Sequence, residues 1–447
     1  MIAALGIDVG MSAVRAAVVD EHGVLLGAGR AGSRARLAAD RAEADPREWL
    51  LGALEAGATA VAEAGVAVDA IAVTALGPAP VLVTRGGKAL SPALLFGFDR
   101  RAEEQRARLG VSHDHALPKL LWWAEHEPER VARAATAVDA AGFVVAGLCG
   151  EIAMDAITAE AYAVAGFDPP LPLPQPCDPL ARVGGLLPGP AAKLGLFPGT
   201  PVVAGTLDSY ADVAGTGAAP GTGCLLLGST LIAYAVWSEP VAVPGLEVQH
   251  QPAPGVLLGG SSVCGGATID WLGELLGQAA GDLHELAPGA GGLLVLPYLA
   301  GERTPVNDPH ASGAVFGLTY ATTRDEMCRA FVDAVALSAL DHADRLRAHG
   351  VDPARWRVAG GATRNAALVH ACCDALGRPL DVMSHAGVAI GPAALALRAA
   401  GARWQPSPER TVEPDAGRTR RFAVLLEAYR GAYEGLAPTM RGLADLR

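Results

Sequence analysis

Apolar positions run almost unbroken over Ile2–Ile7 and again over Val14–Val19, with only Asp8-Val9-Gly10-Met11-Ser12 between them. So short a link cannot carry a crossover, so the pattern predicts two strands joined as a hairpin. Gly23 then turns the chain into a third apolar run, Val24–Leu26. Helical spacing follows over Pro46–Ala64 and about Asp99–Leu109, with strands near Ala70–Val73 and Val81–Val83 between them. Lys119–Glu125 and Pro128–Ala134 continue the helical period. The opening plan then recurs: Cys224–Leu227 is apolar, Gly228-Ser229-Thr230 is a polar turn, and Leu231–Trp237 is apolar again. A further strand, Trp356–Ala359, breaks at Gly360-Gly361 before a helix over Asn365–Leu376. One strand–turn–strand unit in each half predicts a duplicated α/β architecture. The Pro- and Gly-rich stretch Phe167–Pro201 predicts irregular structure leading to a boundary, which places two domains at 1–205 and 206–447.

Composition narrows the classes. A chain of 447 residues, 51% apolar and 18% charged, is too long for one ordinary core and too apolar for disorder. The net charge of -12, with no basic tract, argues against a nucleic-acid partner. No apolar run is long enough to span a bilayer, and the opening MIAALGIDVG lacks the basic flank of a signal peptide. The seven scattered cysteines form no C-x-x-C pair, so free thiols in a reducing cytoplasm are expected. Gly87-Lys88 is followed by Ala89, which excludes a Walker A loop.

The candidate chemistry sits on glycine-bearing turns after strands. In VVAGTLDSYADVAGTG, a strand ends in a turn that presents Asp208. An acid fixed there suits a general base, and it equally suits a helix N-cap. Asp8 is a hard oxygen donor for Mg²⁺ or a turn-forming Asx residue. Ser12, Ser229 and Thr230 bring hydroxyls to the two hairpin turns, and Arg15 is either a phosphate ligand or a solvated strand position. The turn at Gly360-Gly361 admits a ligand to backbone and helix dipole, or is only tight.

These segments, taken together, resemble the FGGY carbohydrate kinases. GIDVGMSAVRAAV is similar to that family's first phosphate hairpin, SPALLFGFDRRAEE to its sugar-binding stretch, and LPKLLWWAEHEPE to the helix after it. VVAGTLDSYADVAGTG resembles its base motif, and LLLGSTLIAY its second phosphate hairpin. LVLPYLAGERTP, GAVFGLTYATTRDEMCRAFVDA and VAGGATRNAALVHACCDALGRP follow in the family's order. The resemblance, in the xylulokinase-like branch, implies two ribonuclease-H-like, actin-like ATPase domains flanking a nucleotide and sugar cleft. It implies an ATP- and Mg²⁺-dependent transfer to a hydroxyl of a small sugar or polyol, with a ketopentose favoured. By resemblance Asp208 is the base and Asp8 organises Mg²⁺. Gly10, Ser12, Arg15, Ser229 and Thr230 line the phosphates. Gly266, Asp270, Gly360, Gly361 and Asn365 border the nucleotide, and Asp99 and Thr206 lie on the sugar side. No large pKa shift is expected at Asp208, since a carboxylate is already ionised at neutral pH. The partner is then a small molecule, with neither nucleic acid nor membrane, and a homodimer is left open.

The sequence departs from that pattern in four places, one of them the length of Phe167–Pro201, which is shorter than the family's corresponding segment. Met11 stands where the first hairpin usually has Thr. Thr74-Ala75-Leu76-Gly77-Pro78 replaces the Gly-Gln-Met-His of xylulose-type members, and Phe96-Gly97-Phe98 replaces the usual Trp before Asp99. Met11 and the altered 74–78 motif carry the rival reading, a non-catalytic binder of nucleotide or sugar. Gly27-Ala-Gly29-Arg-Ala-Gly32 fits a dinucleotide fingerprint but lacks the apolar helix that should follow. His113-Asp114-His115 reads as solvated loop, and Trp122-Trp123 as one core and one rim residue.

Overall fold

The structure, a computed structural model, describes residues 1–38, 40–112, 115–277, 282–383 and 389–444. His113 and Asp114 of the His-Asp-His segment lie outside the described residues. The chain forms two compact units, Met1–Gly217 with Val388–Pro406, and Ala218–Gly387 with Ser407–Arg447.

In the first unit the expected hairpin forms from β1 (Ala3–Val9) and β2 (Ala13–Asp20), and β3 (Leu25–Gly32) pairs beyond it. Helix α1 (Pro46–Ala64) leads to β4 (Ala70–Ala75). Helix α2 (Ala140–Cys149), β5 (Arg182–Gly185), β6 (Pro201–Leu207) and α3 (Asp208–Gly215) follow. The sheet order is β5-β6-β4-β1-β2-β3. Strands β6, β4 and β1 run parallel, and the outer strands pair antiparallel. Helix α1 starts on the Asp45 cap with Pro46 in the first turn and stops at a left-handed Gly65, a sequence-encoded start and stop.

Two glycines let α1 lie on β3. A Cβ on Gly27 would fall 2.2 Å from the Ala60 carbonyl oxygen, and one on Gly29 would fall 1.9 Å from that of Ala56. The Gly27–Gly32 triplet therefore lies within an edge strand that admits a helix backbone, not in a nucleotide-binding turn. The opposite face takes α3 and a returning helix, Ile390–Ala399. A Cβ on Gly6 would meet the Ala393 amide nitrogen at 2.2 Å, and one on Gly215 would meet the Cα of Gly391 at 2.9 Å. The layer between them consists of small residues, Ala4, Ala17, Ala72, Ala211 and Ala393 among them. This packing is why α3 belongs with the first unit. The 205/206 division drawn from the sequence falls inside β6, whereas the units part at Gly217/Ala218, and 388–406 returns to the first.

The second unit comprises β7 (Thr222–Leu227), β8 (Leu231–Trp237), β9 (Glu247–Gln249), β10 (Val256–Ser262) and α4 (Gly266–Leu276). It continues with α5 (Arg324–Ala348), β11 (Arg355–Ala359), α6 (Ala366–Leu376), β12 (Leu380–Met383), β13 (Pro408–Val412) and α7 (Ala416–Ala444). Its sheet order is β9-β10-β8-β7-β11-β12-β13. Val332, Val335, Ala336, Trp356, Val358 and Leu368 form much of its core. Strand for strand, β10-β8-β7-β11-β12-β13 repeats β3-β2-β1-β4-β6-β5 in order and in direction. The duplication expected from two hairpins extends to whole sheets, as the ribonuclease-H-like resemblance implies. Among the described residues, no helix is long and apolar enough to cross a membrane.

Candidate functional site

In the first unit one row of polar residues crosses four adjacent strands. Thr206 of β6 pairs with Thr74 of β4, Thr74 with Asp8 of β1, and Asp8 with Arg15 of β2. In-register neighbours share a face. Arg15 Nη1 donates to Asp8 Oδ2 at 3.3 Å, and Thr74 Oγ1 donates to Asp8 Oδ1 at 3.4 Å. Both bonds are long, so the carboxylate keeps accepting capacity. Burial raises the proton affinity of Asp8 above the ordinary value, against the pull of Arg15 and Thr74. Beyond it, Gly10 closes the hairpin by donating to the Ala13 carbonyl at 3.0 Å, which leaves Met11 and Ser12 exposed.

Asp208 is the first residue of α3, not its cap: Leu207 holds the cap position, and Asp208 Oδ1 accepts from the Ser209 amide, at 2.7 Å, within that helix turn. Its carboxyl is pushed up to about 7, by desolvation first and by the Asp8 charge second. This corrects the expectation of no large shift at Asp208. Sequence spacing gives no sign that Asp8, in β1, comes close enough to Asp208 for its charge to act there. Asp212, one turn on, reaches solvent, yet surrounding protein and the charges of Asp8 and Asp208 hold its proton affinity well above the ordinary. Its position four residues after Asp208 was the signal available for it.

The two residues expected on the sugar side are internal. The Asp99 carboxylate has no exposed surface. It accepts from the Ala42 amide at 2.9 Å and from Arg101 Nε and Nη2 at 2.9 and 2.7 Å. Arg101 also bonds Glu43 at 2.6 Å and lies over the Trp122 ring, while Trp123 is core. Thr206 is buried and donates to Asp155 Oδ1 at 2.9 Å, and Asp155 caps a short helix through Ile157 and Thr158. Neither side chain contributes surface, so each supports a strand or loop.

Two buried ionisable groups were not anticipated. Asp139 Oδ1 accepts from the Ala79 amide at 2.5 Å and from the Tyr162 hydroxyl at 3.2 Å, and burial pushes its carboxyl up to about 7. A Cβ on Gly77 would fall 2.6 Å from Asp139 Oδ2 and 2.5 Å from Leu207 Cδ2, so the 76–79 loop rests against the residue before Asp208. Lys119 Nζ donates to the Leu94 and Leu95 carbonyls at 3.1 and 3.0 Å and is pushed down to about 8 by burial.

In the second unit three turns converge. The β7–β8 turn closes by the Gly228 amide on the Thr230 carbonyl at 3.0 Å. The start of α4 docks on it, as Gly266 donates to the Gly228 carbonyl at 2.8 Å and Ala267 to that of Ser229 at 3.2 Å. Gly360 takes φ +108, and a Cβ there would fall 2.4 Å from the Leu227 carbonyl oxygen, which is why this turn needs glycine. Gly361–Arg364 forms a 3₁₀ turn, and Asn365 caps α6 by accepting from Leu368 at 3.1 Å. A Cβ on Gly266 would touch Ala362 at 3.0 Å, so the turns at 228, 266 and 361 adjoin. Ser229 and Asp270 present exposed surface around them. Backbone at helix starts and hairpin turns is the architecture of an anion site.

Known proteins resemble this chain in sequence and fold. The N-terminal domain of the FGGY family of carbohydrate kinases matches residues 3–168, and its C-terminal domain matches residues 220–400. The xylulose kinase of Streptomyces coelicolor is 31% identical over 94% of this chain and 90% of that protein. The xylulose kinase of Escherichia coli K12 is 28% identical over 98% of this chain and 99% of its own length. The crystal structure of xylulose kinase from Rhodospirillum rubrum superposes with a TM-score of 0.85 at 25% identity, covering 98% of this chain and all of that one. With both domains matched in order and relatives aligned over nearly the whole length, the chain belongs to the FGGY family of carbohydrate kinases.

Proposed function

We propose that this chain transfers the γ-phosphoryl group of ATP to a hydroxyl of a ketopentose-type sugar, with Asp208 taking the hydroxyl proton. The observation that carries the reading is the pairing of Asp208, raised to about 7, with Asp8 at the end of one sheet. A base titrating near the working pH is ionised in a useful fraction and still basic enough to accept a proton. The relatives named xylulose kinases supply the ketopentose preference.

Asp8 fits a divalent cation. Its bonds to Arg15 and Thr74 are long, its oxygens are hard donors, and its charge burdens Asp208 in a way that a cation relieves. Mg²⁺ bound there supplies charge neutralisation to the phosphates. Arg15 and the Gly10–Ser12 turn orient phosphate oxygens on this side. The Ser229–Thr230 turn, Gly266, Gly360, Gly361, Asn365 and Asp270 border the nucleotide on the second unit. Asp99 and Thr206 act on the sugar indirectly, by fixing the loop at Arg101 and the strand end before Asp208. Catalysis is then alignment and electrostatics, with one proton removed by a positioned carboxylate. The setting is the cytoplasm. A non-catalytic binder has only Met11 and the altered 74–78 segment in its favour, since both Asp8 and Asp208 are retained.

The test is coupled ADP release across ketoses, aldoses and polyols, run beside Asp208→Asn. Ketopentose-dependent turnover that falls by about 10²–10⁴ in the variant is expected. Turnover that survives the substitution removes Asp208 from the role of base. Nucleotide binding without turnover on any acceptor favours the non-catalytic reading.

A further inference from the structure

Glu302 lies in the LVLPYLAGERTP segment, to which the reading above gives no task. It is 5% exposed, and both oxygens are used. Oε2 accepts from the Ser262 hydroxyl at 2.6 Å, and Oε1 accepts from the Val263 and Arg303 amides at 3.0 and 2.7 Å. Ser262 ends β10, and its Oγ in turn accepts from the Cys264 amide at 3.2 Å. Two residues later α4 begins, with the Gly266 and Ala267 amides on the carbonyls of the β7–β8 turn. The far side of Glu302 is anchored too. Its backbone exchanges hydrogen bonds with Asp308 at 2.9 and 3.0 Å, and Asp308 Oδ2 accepts from Tyr433 of α7 at 2.9 Å.

We propose that Glu302 is a positioning residue for the nucleotide: it holds the Ser262–Gly266 turn, and through it the start of α4, in register with the Gly228–Thr230 turn. This rests on the assignment of those turns to the nucleotide. The chemistry favours a carboxylate for the task. Three donors converge on it from two segments, and a buried donor left without an acceptor is costly. Loss of the side chain frees the turn to move, and the backbone groups that face the nucleotide move with it. A glutamine retains the arrangement, because its oxygen accepts from the two amides while its NH₂ donates to Ser262 Oγ.

The experiment titrates MgADP into the whole protein by calorimetry, for wild type, Glu302→Ala, Glu302→Asp and Glu302→Gln, with thermal unfolding measured in parallel. Glu302→Ala is expected to bind about tenfold more weakly, and Glu302→Gln within about twofold of wild type. In turnover, KM for ATP rises in Glu302→Ala while KM for the acceptor sugar stays constant. A purely structural loss lowers the active fraction and moves neither KM. Should Glu302→Ala not fold, Glu302→Asp, one methylene too short to reach both segments, carries the test: weaker binding supports the proposal and equal binding overturns it. Wild-type affinity in a folded Glu302→Ala, or a Glu302→Gln as weak as Ala, also overturns it. A wild-type protein that binds no MgADP overturns the nucleotide assignment itself, and the role of Glu302 with it.

Discussion

The Asp8 carboxylate acts on Asp208 as a neighbouring negative charge that, after burial, helps to keep a proton on its carboxyl to about pH 7. If Asp208 is the base, as proposed, activity measured as kcat/KM is expected to rise with pH through about 7, because its carboxyl must be ionised before the hydroxyl attacks. Asp8→Asn removes the repulsion and moves the Asp208 titration to lower pH. Carboxyl NMR reads that shift whether or not the variant turns over. A rate profile flat from pH 5.5 to 8 is incompatible with this coupling.

The same shift has a cost in stability. The folded pKa of Asp208 lies above its unfolded value of 3.8. Folding thus favours the protonated form, and its contribution is full below pH 4 and lost as pH rises through 7. Asp208→Asn removes that loss. Solvent contact at this half-buried residue screens part of the effect, which leaves about 1 kcal/mol, roughly 2–4 °C in Tm for a unit of this size. The variant should therefore melt higher than wild type at pH 8, with a smaller difference at pH 5. An equal Tm difference at both pH values argues against a raised pKa.

Gly29→Ala is expected to destabilise the protein by about 3 kcal/mol, because its Cβ would fall 1.9 Å from the Ala56 carbonyl oxygen and α1 must lift from β3. Gly32→Ala, with nothing near its Cβ, should be nearly silent. Urea unfolding of the two variants separates a packing role from a ligand-binding one. If both are equally stable, the close approach of α1 is not what the glycines serve.

Met11→Thr should strengthen ATP binding. Met11 is exposed at the tip of the first hairpin, beside Ser12, and supplies no hydroxyl. A hydrogen bond to a charged group contributes about 1.5–3 kcal/mol, so KM for ATP is expected to drop by about tenfold or more. An unchanged KM would indicate that the tip does not meet phosphate.

Much of this was legible in the chain, and for local reasons. The hairpins at Asp8 and Ser229 show as apolar runs broken by polar turns, and α1 carries its cap, its proline and its terminating glycine in sequence. What escaped is what distance creates. The shift of Asp208 arises from burial and from a residue 200 positions earlier. Asp99 looks free until Arg101 and the Ala42 amide are seen to occupy it. Asp139 and Glu302 sit beside apolar or glycine-rich stretches, where an acid resembles an ordinary cap or loop residue. The return of 388–406 to the first unit depends on glycine-mediated contact with Gly6 and Gly215, which no local period announces.

That return governs when the first unit can fold. Its first 217 residues leave the ribosome with the alanine face of Ala4, Ala17 and Ala72 covered in part by α3 but not by the helix Ile390–Ala399, which is still to be made. A nascent chain stalled before residue 388 is therefore expected to be protease-sensitive across β1, β2 and β4, and one released past 406 resistant. The N-terminal unit, although begun first, is completed almost last.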